Sequence, residues 1–224
     1  IFNDIVDKDL DKKVQRTKQR PIANGKISVK QSIFYVLILC LISFLILIQF
    51  NSKTIYLGLG SMVLAFSYPF MKRITYWPQL FLGLTFNWGM IMAYTATLDQ
   101  ISIEIILLYL SAIFWTLGYD TIYGVQDIYE DEIIGLKSTA IKFKNNIKKF
   151  IAMTYIATIL ILFYLFRDIL GLNIFTLLLF FFSFTLYYQI QNFKKNKPKE
   201  CLKLFKFNNI SGITLFLALL SINL

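Results

Sequence analysis

The 224-residue chain is predicted to be all-α: an integral membrane bundle with seven transmembrane helices present. Three observations carry that prediction. Hydrophobic residues make up 57% of the chain and charged residues 16%, with a mean hydropathy of +0.60. A soluble globular surface needs more charge than this. The uncharged stretches are mostly about the 17–25 residues that a helix needs to cross a bilayer. The basic residues fall in alternate connectors, as they do when loops on one side of a membrane hold the positive charge.

The uncharged stretches run 31–52, 54–71, 74–98, 105–119, 150–166, 169–193 and 207–224. The 105–119 stretch is short, and extending it back past Glu104 makes a full span with that acid near one interface. Residues 1–30 hold eight Lys/Arg, the 72–73 turn two, the 120–149 loop five and the 194–206 loop six. The intervening connectors hold only Lys53 and Arg167, so the division is 21 against 2. One missed or extra span would break that alternation. The long basic loops are therefore expected on the cytoplasmic side.

Composition also excludes whole classes of chemistry. The chain has no His, which removes imidazole acid/base catalysis and every His metal site. Its two cysteines, Cys40 and Cys201, form no CxxC pair and no disulfide framework. The 22 Phe and 13 Tyr suit a lipid-facing protein with aromatic belts. The net charge of +10 is read as a record of cytoplasmic loops rather than of nucleic-acid binding.

Two acidic clusters could carry chemistry. In Asn3-Asp4-Ile5-Val6-Asp7-Lys8-Asp9-Leu10-Asp11, residues Asn3, Asp7 and Asp11 recur at i, i+4, i+8 and share one helical face. Three oxygen ligands pointing one way suit a hard cation such as Mg²⁺, which keeps some waters and borrows phosphate oxygens. The competing reading is an acidic helix end paired with Lys8 and Lys12. In the second cluster, Asp120, Asp127 and Asp131 recur at i, i+7, i+11, again on one face of a continuous helix. Asp120 follows directly on an apolar span, where a carboxylate needs a cation partner; the competing reading is an ordinary charged loop. Both clusters fall on the same predicted side, so together they could form a pair of cages for two divalent ions bridged by a diphosphate.

Basic residues stand close by. Arg16 and Arg20 lie one turn apart if helix continues past the first cluster, and guanidinium forks match phosphate oxygens. Lys72 and Arg73 end the second predicted span, where topology alone already asks for positive charge. Lys137, in Gly135-Leu136-Lys137-Ser138-Thr139, could meet a phosphate or solvent, and no complete GxxxxGK[ST] loop is present.

These motifs in this order resemble the UbiA superfamily of membrane prenyltransferases. Asn3, Asp4, Asp7 and Asp11 match its NDxxDxxxD, followed by RTxxRP at Arg16, Thr17, Arg20 and Pro21. Asp127 and Asp131 match its second DxxxD. The wording from Tyr119 to Thr139 resembles the 4-hydroxybenzoate polyprenyltransferase branch. So do Tyr68-Pro69-Phe70-Met71-Lys72-Arg73, Pro78-Gln79, Phe86-Asn87-Trp88-Gly89 and Phe207-Asn208-Asn209. The resemblance covers essentially the whole of 1–224 as a single prenyltransferase domain. It departs from the family in one respect: the family has nine transmembrane helices, and the first acidic motif normally ends the second. The chain, which opens at Ile1 inside that motif, is therefore expected to be a fragment without the first two helices.

The resemblance implies a Mg²⁺-dependent transfer of a polyprenyl group from its diphosphate to the ring of 4-hydroxybenzoate, in ubiquinone biosynthesis. Asp7, Asp11, Asp127 and Asp131 would be catalytic. Asn3, Asp7, Asp11, Asp120, Asp127 and Asp131 would hold the metal. Arg16, Arg20 and Lys72 would bind the diphosphate, and Tyr68 and Tyr123 would face the allylic cation. The implied partners are polyprenyl diphosphate, 4-hydroxybenzoate and the lipid bilayer. The implied location is a bacterial inner membrane or a mitochondrial inner membrane, with the active-site loops on the cytoplasmic or matrix side. Within the superfamily the alternative is a haem or chlorophyll acceptor, which the wording of the second motif argues against. A phosphatidyltransferase is opposed by the lack of a DGxxAR signature. A non-catalytic membrane protein or channel gives no reason for two oxygen-bearing faces on one side.

Overall fold

A computed structural model describes residues 1–15 and 17–223, with Asn223 described by its backbone alone. Among them the regular structure is helical: α1 (Phe2–Val6), α2 (Lys8–Asp11), α3 (Val29–Leu47), α4 (Ser52–Ile74), α5 (Pro78–Phe86), α6 (Trp88–Leu98), α7 (Ile103–Gly124), α8 (Ile128–Ile133), α9 (Thr139–Lys142), α10 (Ile147–Leu165), α11 (Ile174–Asn192) and α12 (Pro198–Leu220).

The long helices begin where the sequence supplies a cap. Ser28 and Gln31 form a reciprocal capping box at α3, each side chain accepting from the other's backbone N–H. Asn51 caps α4 through Thr54 N at 2.9 Å, and its Nδ2 donates to the Thr95 carbonyl, tying the start of α4 to the end of α6. Ser102 and Asn173 cap α7 and α11 in the same way. Proline opens α5 and α12 at the first helical position, where its missing N–H costs nothing.

Five helical segments among the described residues are long and apolar enough to cross a membrane: α3, α4, the run 103–133 that starts with α7, α10 and α11. The other two expected spans take a different form. The 74–98 stretch is broken at Asn87 into α5 and α6, of 9 and 11 residues, each too short to cross alone. Asn87 Nδ2 donates to the Gly83 carbonyl at 2.8 Å and to Thr116 Oγ1 at 2.9 Å, which fixes the break against α7. The last expected span is a 23-residue helix, α12, whose first turns carry Lys199, Glu200, Lys203 and Lys206. Its charged start projects beyond the apolar part, so the full helix is less apolar than 207–224 alone.

The packing is that of a protein in lipid. In α3 only Ser32 is buried, and Leu37, Leu41 and Phe34 are more than half exposed. Small polar residues line the contacts between helices instead: Thr54, Thr95, Thr116, Thr121, Thr158, Thr185 and Ser211 are each at most 2% exposed. Small residues let helix backbones approach, and hydroxyls bond across or back to the helix. The central helix is α7, which packs on α5, α6, α10 and α12. At its closest approach to α10, Gly118 lies under Tyr155, and a Cβ at 118 would overlap that ring and the Thr154 hydroxyl.

Candidate active site

The first acidic motif is not one straight helix. The chain breaks at Asp7 (φ −91°, ψ 2°), and α1 and α2 meet there. Two i→i−4 bonds nevertheless bridge the break, Asp7 N to Asn3 O at 2.9 Å and Asp11 N to Asp7 O at 2.8 Å. They keep Asn3, Asp7 and Asp11 on one side. Phe2 anchors the arm by packing edge-on against Phe66 of α4, ring centroids 4.8 Å apart. Asp9 faces away, exposed, and the Lys12 ammonium 3.0 Å from it lowers its carboxyl below the ordinary range. The paired acidic helix end weighed against a metal site is thus real, but it belongs to Asp9.

Helix α2 ends at Asp11. Residues 12–15 and 17–27 run in turns and bends, and Thr17 Oγ1 donates to the Asp11 carbonyl at 3.1 Å. A glycine is required at Gly25, whose φ of +82° disfavours any side chain. The fold of this segment returns Arg20 to the motif: its Nη1 lies 3.0 Å from both Asp4 Oδ1 and Asp11 Oδ2. Arg16 lies outside the described residues.

The second motif is likewise not a continuous α-helix. Helix α7 ends at Gly124, Val125–Asp127 form a 3₁₀ turn, and α8 follows. The tighter turn shifts the register from that of a plain 3.6-residue repeat, yet Asp120, Asp127 and Asp131 remain on one wall. The loop beyond folds back to α4. Leu136 N bonds the Asp131 carbonyl, and Lys137 N bonds the Lys72 carbonyl, each at 2.8 Å. Lys137 Nζ donates to the Ile74 carbonyl at 3.0 Å, so that lysine caps the C-terminal end of α4 as a cation should.

All six oxygen-bearing residues face a single cavity of about 200 Å³: Asn3, Asp7 and Asp11 with Asp120, Asp127 and Asp131. Arg20, Tyr68, Lys72 and Tyr123 line it too. Lys72 Nζ donates to Asp7 Oδ2, and Arg73 Nη2 donates to Asp7 Oδ1 at 3.2 Å and to the Val6 carbonyl at 2.8 Å. Asp7 is only 1% exposed, so both of its oxygens are held by α4 out of solvent. Asp127, Asp131 and Tyr123 have interactions of their own.

The donor set fits a hard cation, because every candidate ligand offers oxygen. It does not form ready-made cages: among the described residues no three acidic side chains come together closely enough to hold an ion. Lys72 and Arg73 occupy Asp7, and Arg20 occupies Asp11 and Asp4. An open arrangement suits Mg²⁺, which takes one or two carboxylates and completes its shell with water and phosphate oxygens.

Two contributors were not singled out by role in the sequence. Arg73 clasps Asp7, whereas its position at a basic helix end read as topology. Gln79, 7% exposed at the start of α5, accepts from Thr139 N at 2.9 Å and lines the cavity, joining α5 to the loop after the second motif. Its only sequence signal is the Pro78-Gln79 pair.

Known proteins resemble the chain over most or all of its length. A 4-hydroxybenzoate octaprenyltransferase from Histophilus somni (strain 2336) is 38% identical over 222 residues, covering 98% of this chain and 77% of that protein. The mitochondrial 4-hydroxybenzoate polyprenyltransferase of Bos taurus is 39% identical over 229 residues, and that of Arabidopsis thaliana 49% over 148. The chain spans 60% of the bovine protein's length and 36% of the Arabidopsis one's. Among solved structures, the apo structure of a UbiA homolog from Aeropyrum pernix K1 superposes with a TM-score of 0.83 at 21% identity, over 100% of this chain and 83% of that one. A UbiA homolog from Archaeoglobus fulgidus bound to GPP and Mg²⁺ gives 0.72 at 19%, over 100% and 82%. At those identities the structures establish the fold. The UbiA prenyltransferase family model matches residues 1–217, leaving out only the end of α12 and the residues after it, and on that extent the chain belongs to the UbiA prenyltransferase family.

Proposed function

We propose that the protein transfers a polyprenyl group from polyprenyl diphosphate to the ring carbon ortho to the hydroxyl of 4-hydroxybenzoate, as a step of ubiquinone biosynthesis. The observation that carries this reading is the convergence of both acidic motifs, Arg20 and Lys72 on one cavity. The names of the relatives at 37–49% identity support the acceptor.

Asn3, Asp7 and Asp11 on one wall, and Asp120, Asp127 and Asp131 on the other, would hold Mg²⁺. The bound metal supplies positive charge that stabilises the departing diphosphate. Arg20 and Lys72, with Arg16, bind the remaining phosphate oxygens by charge-assisted hydrogen bonds. The allylic C–O bond breaks and its electron pair leaves with the diphosphate. Tyr68 and Tyr123 present π faces to the allylic cation, an attraction of about 0.5–2 kcal/mol. The ring carbon bonds the allylic carbon, and a carboxylate or the released diphosphate takes the ring proton. None of these steps asks for imidazole. The prenyl tail runs between helices toward lipid. The cavity opens on the cytoplasmic or matrix side of the inner membrane.

The test is incubation of membranes containing the full-length protein with a polyprenyl diphosphate, Mg²⁺ and a panel of aromatic acceptors. Metal-dependent prenylation of 4-hydroxybenzoate is expected. Transfer to haem or a chlorophyll precursor alone would overturn the acceptor and leave the prenyl transfer standing, and no transfer to any acceptor would remove both.

A further inference from the structure

Asn208 of α12 stands where four helices meet. Its Oδ1 accepts from Trp115 Nε1 of α7 at 3.0 Å and from Gln189 Nε2 of α11 at 3.2 Å. Its Nδ2 donates to Gln189 Oε1 at 3.2 Å and to the carbonyl of Phe205, one turn earlier in α12, at 3.1 Å. Gln189 is wholly buried, and its Oε1 also accepts from the Tyr155 hydroxyl of α10 at 2.7 Å. Polar groups inside a lipid-embedded bundle have no water to turn to, so a fully satisfied network holds its members in one arrangement.

Aromatic rings lead from this junction to the cavity. Trp115 meets Tyr119 edge-on at 6.0 Å between centroids. Tyr119 packs on Phe205 at 5.9 Å, and Phe205 packs on Tyr123 at 4.6 Å. Tyr123 lines the cavity. Asn208 therefore holds the backbone of the residue whose ring backs Tyr123, and it also holds the first ring of the series.

We propose that Asn208 is a positioning residue for Tyr123. Acting through Phe205, it sets the aromatic wall of the cavity and thereby governs whether the allylic cation is captured by the acceptor ring or by water. The inference rests on the prenyl-transfer reading above. In the competing capture, the water oxygen bonds the allylic carbon, a proton passes to solvent, and the products are prenyl alcohol and free diphosphate. A network that only glued the helices together would change the amount of folded protein but not this partition.

The experiment measures the ratio of prenyl alcohol to prenylated acceptor in vesicles holding the full chain, given geranylgeranyl diphosphate, 4-hydroxybenzoate and Mg²⁺. Asn208→Leu removes the junction, and Phe205→Leu removes the ring while leaving the Asn208 bonds, which use the 205 backbone, in place. Both should raise the ratio on the order of fivefold, the scale of a modest cation–π contact. Leu162→Ala, at a fully buried position of α10, should lower the folded yield and leave the ratio unchanged. Should Asn208→Leu fail to fold, Asn208→Ala, which also removes the bond to the Phe205 carbonyl, takes its place. A wild-type ratio in the folded variants overturns the positioning role. Neither product from the unaltered protein overturns the prenyl-transfer reading and the positioning role with it.

Discussion

Asp7 illustrates what single residues do here. Its carboxylate is nearly inaccessible, yet it lines the cavity and carries two cationic partners from α4. Replacing it by Asn keeps the shape and removes the charge. On the proposed mechanism Asp7→Asn, and equally Asp127→Asn, would weaken metal binding worth several kcal/mol in the transition state, so each should lower kcat/KM by about 100-fold or more. The proteins should remain folded, as judged by detergent-solution thermal melts, because Lys72 and Arg73 are each partly exposed and screened by water. Lys72→Met should raise KM for the prenyl diphosphate about tenfold, the usual scale of one charge-assisted hydrogen bond. Thiol chemistry gives a check independent of activity. Burial pushes the Cys201 thiol up to about 11, so it stays protonated at pH 8 and should resist maleimide until the protein is denatured. The types and spacing of these residues were legible in the sequence. Which acid meets which base was not, because Lys72 and Arg73 reach Asp7 across more than sixty positions.

At the scale of elements, boundaries and contacts decide the outcome. The caps at Ser28, Asn51, Ser102 and Asn173 could be read from residue type before the helices they start. The break at Asn87 could not, because the 74–98 stretch is uncharged throughout and only the bonds to Gly83 and Thr116 give the break a partner. The same holds for the interruptions at Asp7 and at Val125–Asp127: a helical spacing assumes a continuous helix, and here local bonding preserved the common side after the helix itself had stopped. Gly118 is another contact of this kind. Gly118→Ala should destabilise the protein by about 1–3 kcal/mol through overpacking against Tyr155. A lower thermal midpoint measures that cost. An unchanged midpoint would mean that α7 and α10 can separate freely.

Large apolar residues cover the outside of the bundle, while inside it small polar residues sit among a buried apolar core, a distribution that follows from a lipid solvent. The charge alternation makes a definite topological prediction. In a background with Cys40 and Cys201 replaced by Ser, a cysteine at exposed Asn24 and one at exposed Asp168 should be labelled by an impermeant maleimide from opposite sides of sealed vesicles. The position-24 thiol is expected on the cytoplasmic or matrix side. Labelling of both from one side would break the alternation, and with it the placing of both acidic motifs at one membrane face.

By itself the sequence determined the membrane class, the helical architecture, the family and the identities of the acidic and basic residues. Each depends on composition, on run length or on short motifs, all of which survive without knowledge of neighbours in space. Tertiary structure alone decided that residues from position 3 to position 138 close one cavity, and that Lys72, Arg73 and Arg20 hold the acids of the first motif. It alone also packed Phe205, whose carbonyl Asn208 bonds, against Tyr123. Such contacts join distant parts of the chain, and what selects them is the packing of helices whose lipid-facing sides look alike in sequence. Only small differences mark the inward faces, a glycine under a tyrosine or an asparagine within reach of an indole, and those differences acquire meaning when the partner helix is in place.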